Sequence, residues 1–130
     1  MQTRYTTEDN KATLEKANEA ITNGDNEGFL TFCTEDTVWN FVGDKILRGK
    51  EAVRKWMATE YLEPPKFMVS NLIAEGDFVI ALGRITMRRE DGSLAQYAYS
   101  DVWRFVNGKM AELKAFVIET GDEAEDTSMV

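Results

Sequence analysis

The chain has 130 residues, which fits one domain, and 43% hydrophobic content suffices for a core without disulfides or metal. Twenty-three acids against 15 bases leave a net charge of −8, which argues against nucleic acid or an anionic membrane as partner and is more compatible with a small neutral or cationic ligand. His is absent, so Ser-His-Asp and Cys-His relays and the commonest zinc ligand drop out, and carboxylates become the first candidates for acid/base chemistry.

The single Cys33 cannot form an internal disulfide, and among Phe and Leu it reads as a small buried hydrophobe. Met1 to Asn10 is polar throughout and no apolar run approaches the length of a membrane span. A cytoplasmic protein without cofactor or metal is therefore expected.

In chain order, residues 1–6 read as a loose arm. Thr6 or Thr7 followed by Glu8 and Asp9 is a helix start, with acids where the helix dipole favours them. That helix runs to about Asn23, with Leu14, Ala17 and Ile21 as a narrow apolar stripe. Gly24 supplies a left-handed cap, and Asp25 caps a short second helix through Cys33 whose buried face is Phe29, Leu30, Phe32 and Cys33. Thr37 to Val42 has strand composition, apolar on both sides apart from Asn40. Gly43-Asp44 turns into a short strand at Lys45-Ile46-Leu47, and Gly49 precedes a third helix from Lys50 to Tyr61 with Ala52, Val53, Trp56 and Met57 on its core face. Pro64-Pro65 stops it.

Long strands follow: Phe67 to Glu75, Phe78 to Arg89, Tyr97 to Val106 and a return strand from Lys109 to Glu119. Asn107-Gly108 between the last two is a strong hairpin signal, because both central residues of a type I′ turn need positive φ. The acidic stretch Gly121 to Val130 reads as a disordered tail. The pattern predicts an α+β domain over residues 7–120, three N-terminal helices packed on the concave face of a curved mixed or antiparallel sheet. The space enclosed between the layers is the natural ligand site.

Pairing Glu90 with Ser93 across the Asp91-Gly92 turn sets Leu82 opposite Asp101, Arg84 opposite Tyr99 and Thr86 opposite Tyr97. One face then carries Leu82, Arg84, Thr86, Tyr97, Tyr99, Asp101 and Trp103, the ingredients of a pocket: large rings, a carboxylate and a guanidinium. The other carries Ile85, Met87 and Val102, a small apolar face suited to a homodimer contact on the convex side. Counting back from Asn107-Gly108 places Glu112 and Lys114 on the pocket face, whereas Leu113, Ala115 and Val117 fit a core; a β-bulge near Ala111 reconciles the two.

The Asn23-Gly24-Asp25 corner, the short helix ending near Thr34-Glu35-Asp36, the helix entry Leu47-Arg48-Gly49-Lys50-Glu51-Ala52 and the run Ser100-Asp101-Val102-Trp103-Arg104-Phe105-Val106-Asn107-Gly108-Lys109 together resemble the NTF2-like superfamily, nearest its SnoaL-like polyketide cyclase and ketosteroid isomerase branch. The resemblance implies a cone-shaped NTF2-like fold. In the ketosteroid isomerase pattern Asp101 matches the protonated oxyanion-hole acid, while the general-base aspartate falls at Asn40 and the oxyanion tyrosine at Ala17, neither able to act. In the limonene-epoxide hydrolase pattern Asn40 and Arg84 match the water-holding Asn and the relay Arg, with the two aspartates falling at Thr86 and Ala115.

Asp101, Arg84 and Asn40 are thus the candidate catalytic residues. Tyr97, Tyr99, Trp103, Leu82, Thr86, Val38, Leu113, Ala115 and Val117 are the candidate ligand contacts, although aromatic side chains at strand spacing are more often core. The expected function is binding of a small, largely apolar metabolite in the cone. The alternative is a cofactor-free cyclase, isomerase or epoxide-hydrolase-like enzyme with Asp101 as acid/base.

Overall fold

The computed structural model describes residues 5–61 and 63–121. Its elements in order are α1 (Thr7–Thr22), α2 (Asn26–Leu30), β1 (Cys33–Phe41), β2 (Lys45–Arg48), α3 (Lys50–Glu60), β3 (Lys66–Glu75), β4 (Phe78–Arg88), β5 (Leu94–Val106) and β6 (Lys109–Gly121). The strands form one open, curved sheet in the order β2-β1-β6-β5-β4-β3. Among the described strand pairs only β1–β6 is parallel. The helices cover the concave face, where Leu14, Ala17 and Ile21 of α1, Phe29 and Leu30 of α2, and Val53 and Met57 of α3 share one core with Trp39, Val79, Trp103 and Leu113 of the sheet. No described helix is long and apolar enough to cross a membrane.

Local chemistry sets the helix ends. The Thr6 hydroxyl accepts from the Asp9 backbone N–H at 3.0 Å while the Asp9 carboxylate accepts from the Thr6 N–H at 2.9 Å, a complete capping box for α1. Asp25 caps α2 by accepting from the Gly28 N–H at 2.8 Å. This second helix ends at Leu30 rather than at the expected Cys33. The Phe32 carbonyl accepts from the Met110 N–H at 2.8 Å and Cys33 pairs with Met110, so the parallel ladder captures the segment and β1 begins well before Thr37. Most of the expected arm (1–6) and acidic tail (121–130) lies outside the described residues; Thr6 caps α1, and Gly121 still pairs with Gln96 in β6.

The β5–β6 hairpin takes the form its turn demands, with Asn107 at φ 51 and Gly108 at φ 80. Arg104 pairs with Glu112 but Phe105 with Met110, which leaves Ala111 as the extra residue of a bulge where one was expected. The parity change brings Leu113, Ala115 and Val117 opposite Trp103, Asp101 and Tyr99. It also sends Glu112 to the outer face, where it accepts from Arg104 Nε at 3.0 Å.

The β4–β5 register differs from expectation by one residue. Arg89 donates to the Ser93 carbonyl at 2.7 Å, Gly92 takes φ 90, and the Asp91 carboxylate accepts from the Ser93 N–H at 2.9 Å. The connection is therefore a three-residue loop closed by a left-handed glycine, not a two-residue turn. Asp101 consequently faces Ala81, Tyr99 faces Gly83 and Tyr97 faces Ile85. A one-residue slip turns every side chain of a strand over. Leu82, Arg84 and Thr86 thus move to the convex face, and Ile85 and Met87, expected there, move to the concave one.

Candidate functional site

The open end of the concave face holds a cavity of about 460 Å³. Its walls include Phe29, Trp39, Phe41, Trp56, Tyr61, Phe67, Tyr97, Tyr99 and Trp103, with Ile85, Met87, Leu113, Ala115 and Val117 between the rings. All three tryptophans of the chain line it. Trp39 is the hub: the rings of Phe29, Trp103, Trp56 and Phe41 stand edge-on to it at centroid distances of 5.7, 5.8, 5.9 and 6.1 Å. Its indole N–H is buried without a hydrogen-bond partner among the described residues.

Strand alternation supplies this wall. On β5, Tyr97, Tyr99, Asp101 and Trp103 project to the same side. On β1, Trp39 and Phe41 do so through the pairings Trp39–Leu113 and Phe41–Ala115. Tyr99 lies over Gly83: a Cβ added there would stand 2.9 Å from the Tyr99 hydroxyl oxygen. A glycine opposite Tyr99 is thus what lets the ring lean across β4, toward Phe67 at a centroid distance of 6.4 Å.

Asp101 is the one acid set into the apolar wall. Its neighbours across the sheet are two alanines, Ala81 and Ala115, and along its strand Tyr99 and Trp103. Small residues on both sides leave the carboxyl standing clear at the cavity surface. Among the described residues it forms no hydrogen bond or ion pair. Burial pushes its pKa from 3.8 up to about 7, and no cation among the described residues offsets the rise. Burial and then the Asp101 charge raise the Tyr61 phenol, and the same two causes, in the same order, bring Tyr99 to about 12. At neutral pH the site therefore presents a carboxyl able to give or take a proton, together with phenols that keep their protons and serve as hydrogen-bonding groups. Burial also lifts Cys33 to about 12, which removes it as a nucleophile.

The remaining charges, Asp44, Lys45, Glu60, Arg88, Arg89 and Glu90, come from turns and element ends. Lys45 lies 3.8 Å from Asp44, Arg88 Nε 2.7 Å from Glu63, and Arg89 pairs with Glu119. Among the described residues no group of three or more acidic or Cys side chains is arranged to hold a metal ion.

Of the residues expected from sequence, Asp101, Tyr97, Tyr99, Trp103, Leu113, Ala115 and Val117 are brought together in the cavity. Arg84, Leu82 and Thr86 are turned to the convex face by the β4 register, so the Asp101–Arg84 diagonal does not exist. Asn40 and Val38 alternate outward because Trp39 and Phe41 face in. Ala17 is wholly buried in the helix–sheet core. The expectation overlooked Trp39, Phe41 and Tyr61 and treated Trp56 as packing alone. The period-two parity of Trp39 and Phe41 against Asn40 was the available signal.

A family model described as SnoaL-like domain matches residues 14–113. Among solved structures, an epoxide hydrolase/cyclase-like enzyme, SalBIII, described in pyran ring formation in polyether salinomycin, superposes with a TM-score of 0.79 at 17% identity, covering 85% of this chain and 91% of that one. An NTF2-like protein of unknown function from Burkholderia pseudomallei K96243 gives 0.74 at 21% identity, over 82% and 88% of the two chains. TerC, co-crystallised with polyporic acid, gives 0.74 at 16% identity, over 83% and 90%. No curated protein matches the chain in sequence.

Proposed function

The chain belongs to the SnoaL-like domain family, and from that premise we propose that its cavity binds one small, largely apolar organic molecule around Asp101. The observation that carries this reading is a carboxyl without a partner among the described residues, set in an aromatic cavity of about 460 Å³. That volume lies within the usual range for sites that enclose a small molecule, and such sites combine apolar walls with a few orienting polar groups. The co-crystal of TerC supports the fold's capacity for an organic guest, as a property of that protein. The test is tryptophan fluorescence on titrating a compact bicyclic ketone such as 1-tetralone, in wild type and in Ala115→Leu, which fills the space beside Asp101. Saturable quenching in wild type, lost in a variant of unchanged circular dichroism, is the expected result. No saturable response in wild type, or equal affinity in the variant, contradicts it.

A second reading, a cofactor-free cyclase, isomerase or epoxide-hydrolase-like enzyme, is favoured by one observation. An acid with pKa about 7 is matched to proton transfer at neutral pH. In that reading Asp101 alone serves as acid/base, since Asn40 and Arg84 point away. Turnover of an epoxide or enolisable ketone, lost in a folded Asp101→Asn, supports it. Turnover surviving that substitution removes Asp101 from the chemistry.

We also propose a homodimer through the convex face. Met68, Arg84, Ala98 and Ile118 form one cross-sheet row there, and Met68, Ile73, Phe116 and Ile118 are all exposed.

A further inference from the structure

The charges around the cavity do not balance. Each cation lining it has an acid partner: Lys45 with Asp44, Arg88 with Glu63, Arg89 with Glu119. Asp101, Glu60 and Glu90 have none among the described residues. The deepest of the three, Asp101, stands between two alanines with aromatic rings around it and, among the described residues, no hydrogen-bond donor on it. Burying a carboxylate is expensive unless a counter-charge arrives with it, and the described residues supply none. Faces of Trp, Tyr and Phe, meanwhile, attract cations, above all alkylated ammonium groups that carry apolar surface of their own. What this cavity lacks is a positive charge wrapped in hydrocarbon.

We infer that the ligand of this cavity is an organic ammonium, a tertiary or quaternary amine on an apolar body, with its charge against the Asp101 carboxylate and its hydrocarbon against Trp39, Trp56, Tyr61 and Trp103. This rests on the reading of the cavity as a small-molecule site and narrows it to one ligand class. The titratable and charged groups that line the cavity with Asp101 are Tyr99 and Tyr97 on its own strand, Tyr61 and Glu60 from the end of α3, Arg88, Arg89 and Glu90 from the end of β4 and the following loop, and Asp44 and Lys45 from the β1–β2 turn. Neither Tyr61 nor Tyr99, both raised by burial and then by the Asp101 charge, ionises near neutrality, so the carboxyl of Asp101 sets the pH response. A cation draws that carboxyl into its ionised form, and its affinity therefore rises with pH through about 7.

The test compares phenyltrimethylammonium with tert-butylbenzene, which have the same shape and differ in charge. Binding to the full chain is followed through the three tryptophans lining the cavity. At pH 8.5 the ammonium is expected to bind at least about tenfold more tightly than the hydrocarbon. Its affinity is expected to fall about tenfold or more by pH 5.5, with that of the hydrocarbon unchanged. In Asp101→Asn the preference and the pH dependence both vanish while tert-butylbenzene still binds, which also shows that the variant is folded. Equal or tighter binding of the hydrocarbon, or a preference that survives Asp101→Asn, overturns the ammonium inference and leaves the cavity reading standing. Silence of the tryptophans to both probes overturns the two together.

Discussion

Replacing Asp101 with asparagine keeps the shape of the side chain and removes its ability to ionise. In the folded protein burial holds the Asp101 pKa at about 7 against an ordinary 3.8, so the native state grips this proton more tightly than the unfolded chain does. Stability from that proton is fully present below about pH 4 and is lost as pH rises through 7. At about 1.4 kcal/mol per pH unit, the whole interval amounts to on the order of 4 kcal/mol, of which roughly 2–3 kcal/mol falls between pH 5 and pH 8. Urea unfolding of wild type and Asp101→Asn at half-unit steps across that window reads the effect as a difference, cancelling other titrations common to both. The variant should gain on wild type by that amount as pH rises, and the gap should level off above pH 8. A gap that stays constant from pH 5 to 8 would refute burial without a partner as the state of Asp101.

Three further outcomes follow from particular contacts. Gly83→Ala places a methyl group against the Tyr99 hydroxyl and the Met68 carbonyl, and should destabilise by about 1–3 kcal/mol in urea unfolding; a change within about 0.5 kcal/mol would show that Tyr99 does not need the space. Deleting Ala111 removes the bulge and would swing Glu112 and Lys114 inward while Leu113 and Ala115 turn out, so cooperative unfolding should disappear; a native-like transition would show that parity is set elsewhere. Sedimentation at micromolar concentration should give a dimer for wild type and a monomer for Ile118→Lys. A wild-type monomer contradicts the convex-face contact.

Much of the scaffold is legible because it is locally encoded. The Thr6 and Asp25 caps, the glycine after α1, the apolar stripe Leu14-Ala17-Ile21 and the Asn107-Gly108 turn each act within a few residues. The bulge at Ala111 was readable because the pattern of Leu113, Ala115 and Val117 conflicts with straight counting from that turn. The β4 register was not readable in the same way. Phe78 to Arg88 carries apolar residues on both faces, so alternation does not choose a side, and the choice falls to a loop whose length hinges on Gly92 adopting φ 90. That one residue decides whether Arg84 faces Asp101 or the outer surface. The part of the cavity wall built from Trp39 and Phe41 depends on a parallel pairing between β1 and β6, strands separated by about half of the chain, which no local signal specifies. Family resemblance aligned Asp101 with a pocket acid, and geometry agrees with its place while withdrawing Asn40 and Arg84 as its companions.

The site turns on one carboxyl that faces a cavity with no partner among the described residues. Carbon-13 NMR titration of the Asp101 carboxyl carbon in the ligand-free protein measures this directly. A midpoint near pH 7 is the predicted result, moving downward on addition of phenyltrimethylammonium. A midpoint near pH 4, the value of a solvated or hydrogen-bonded aspartate, would contradict it.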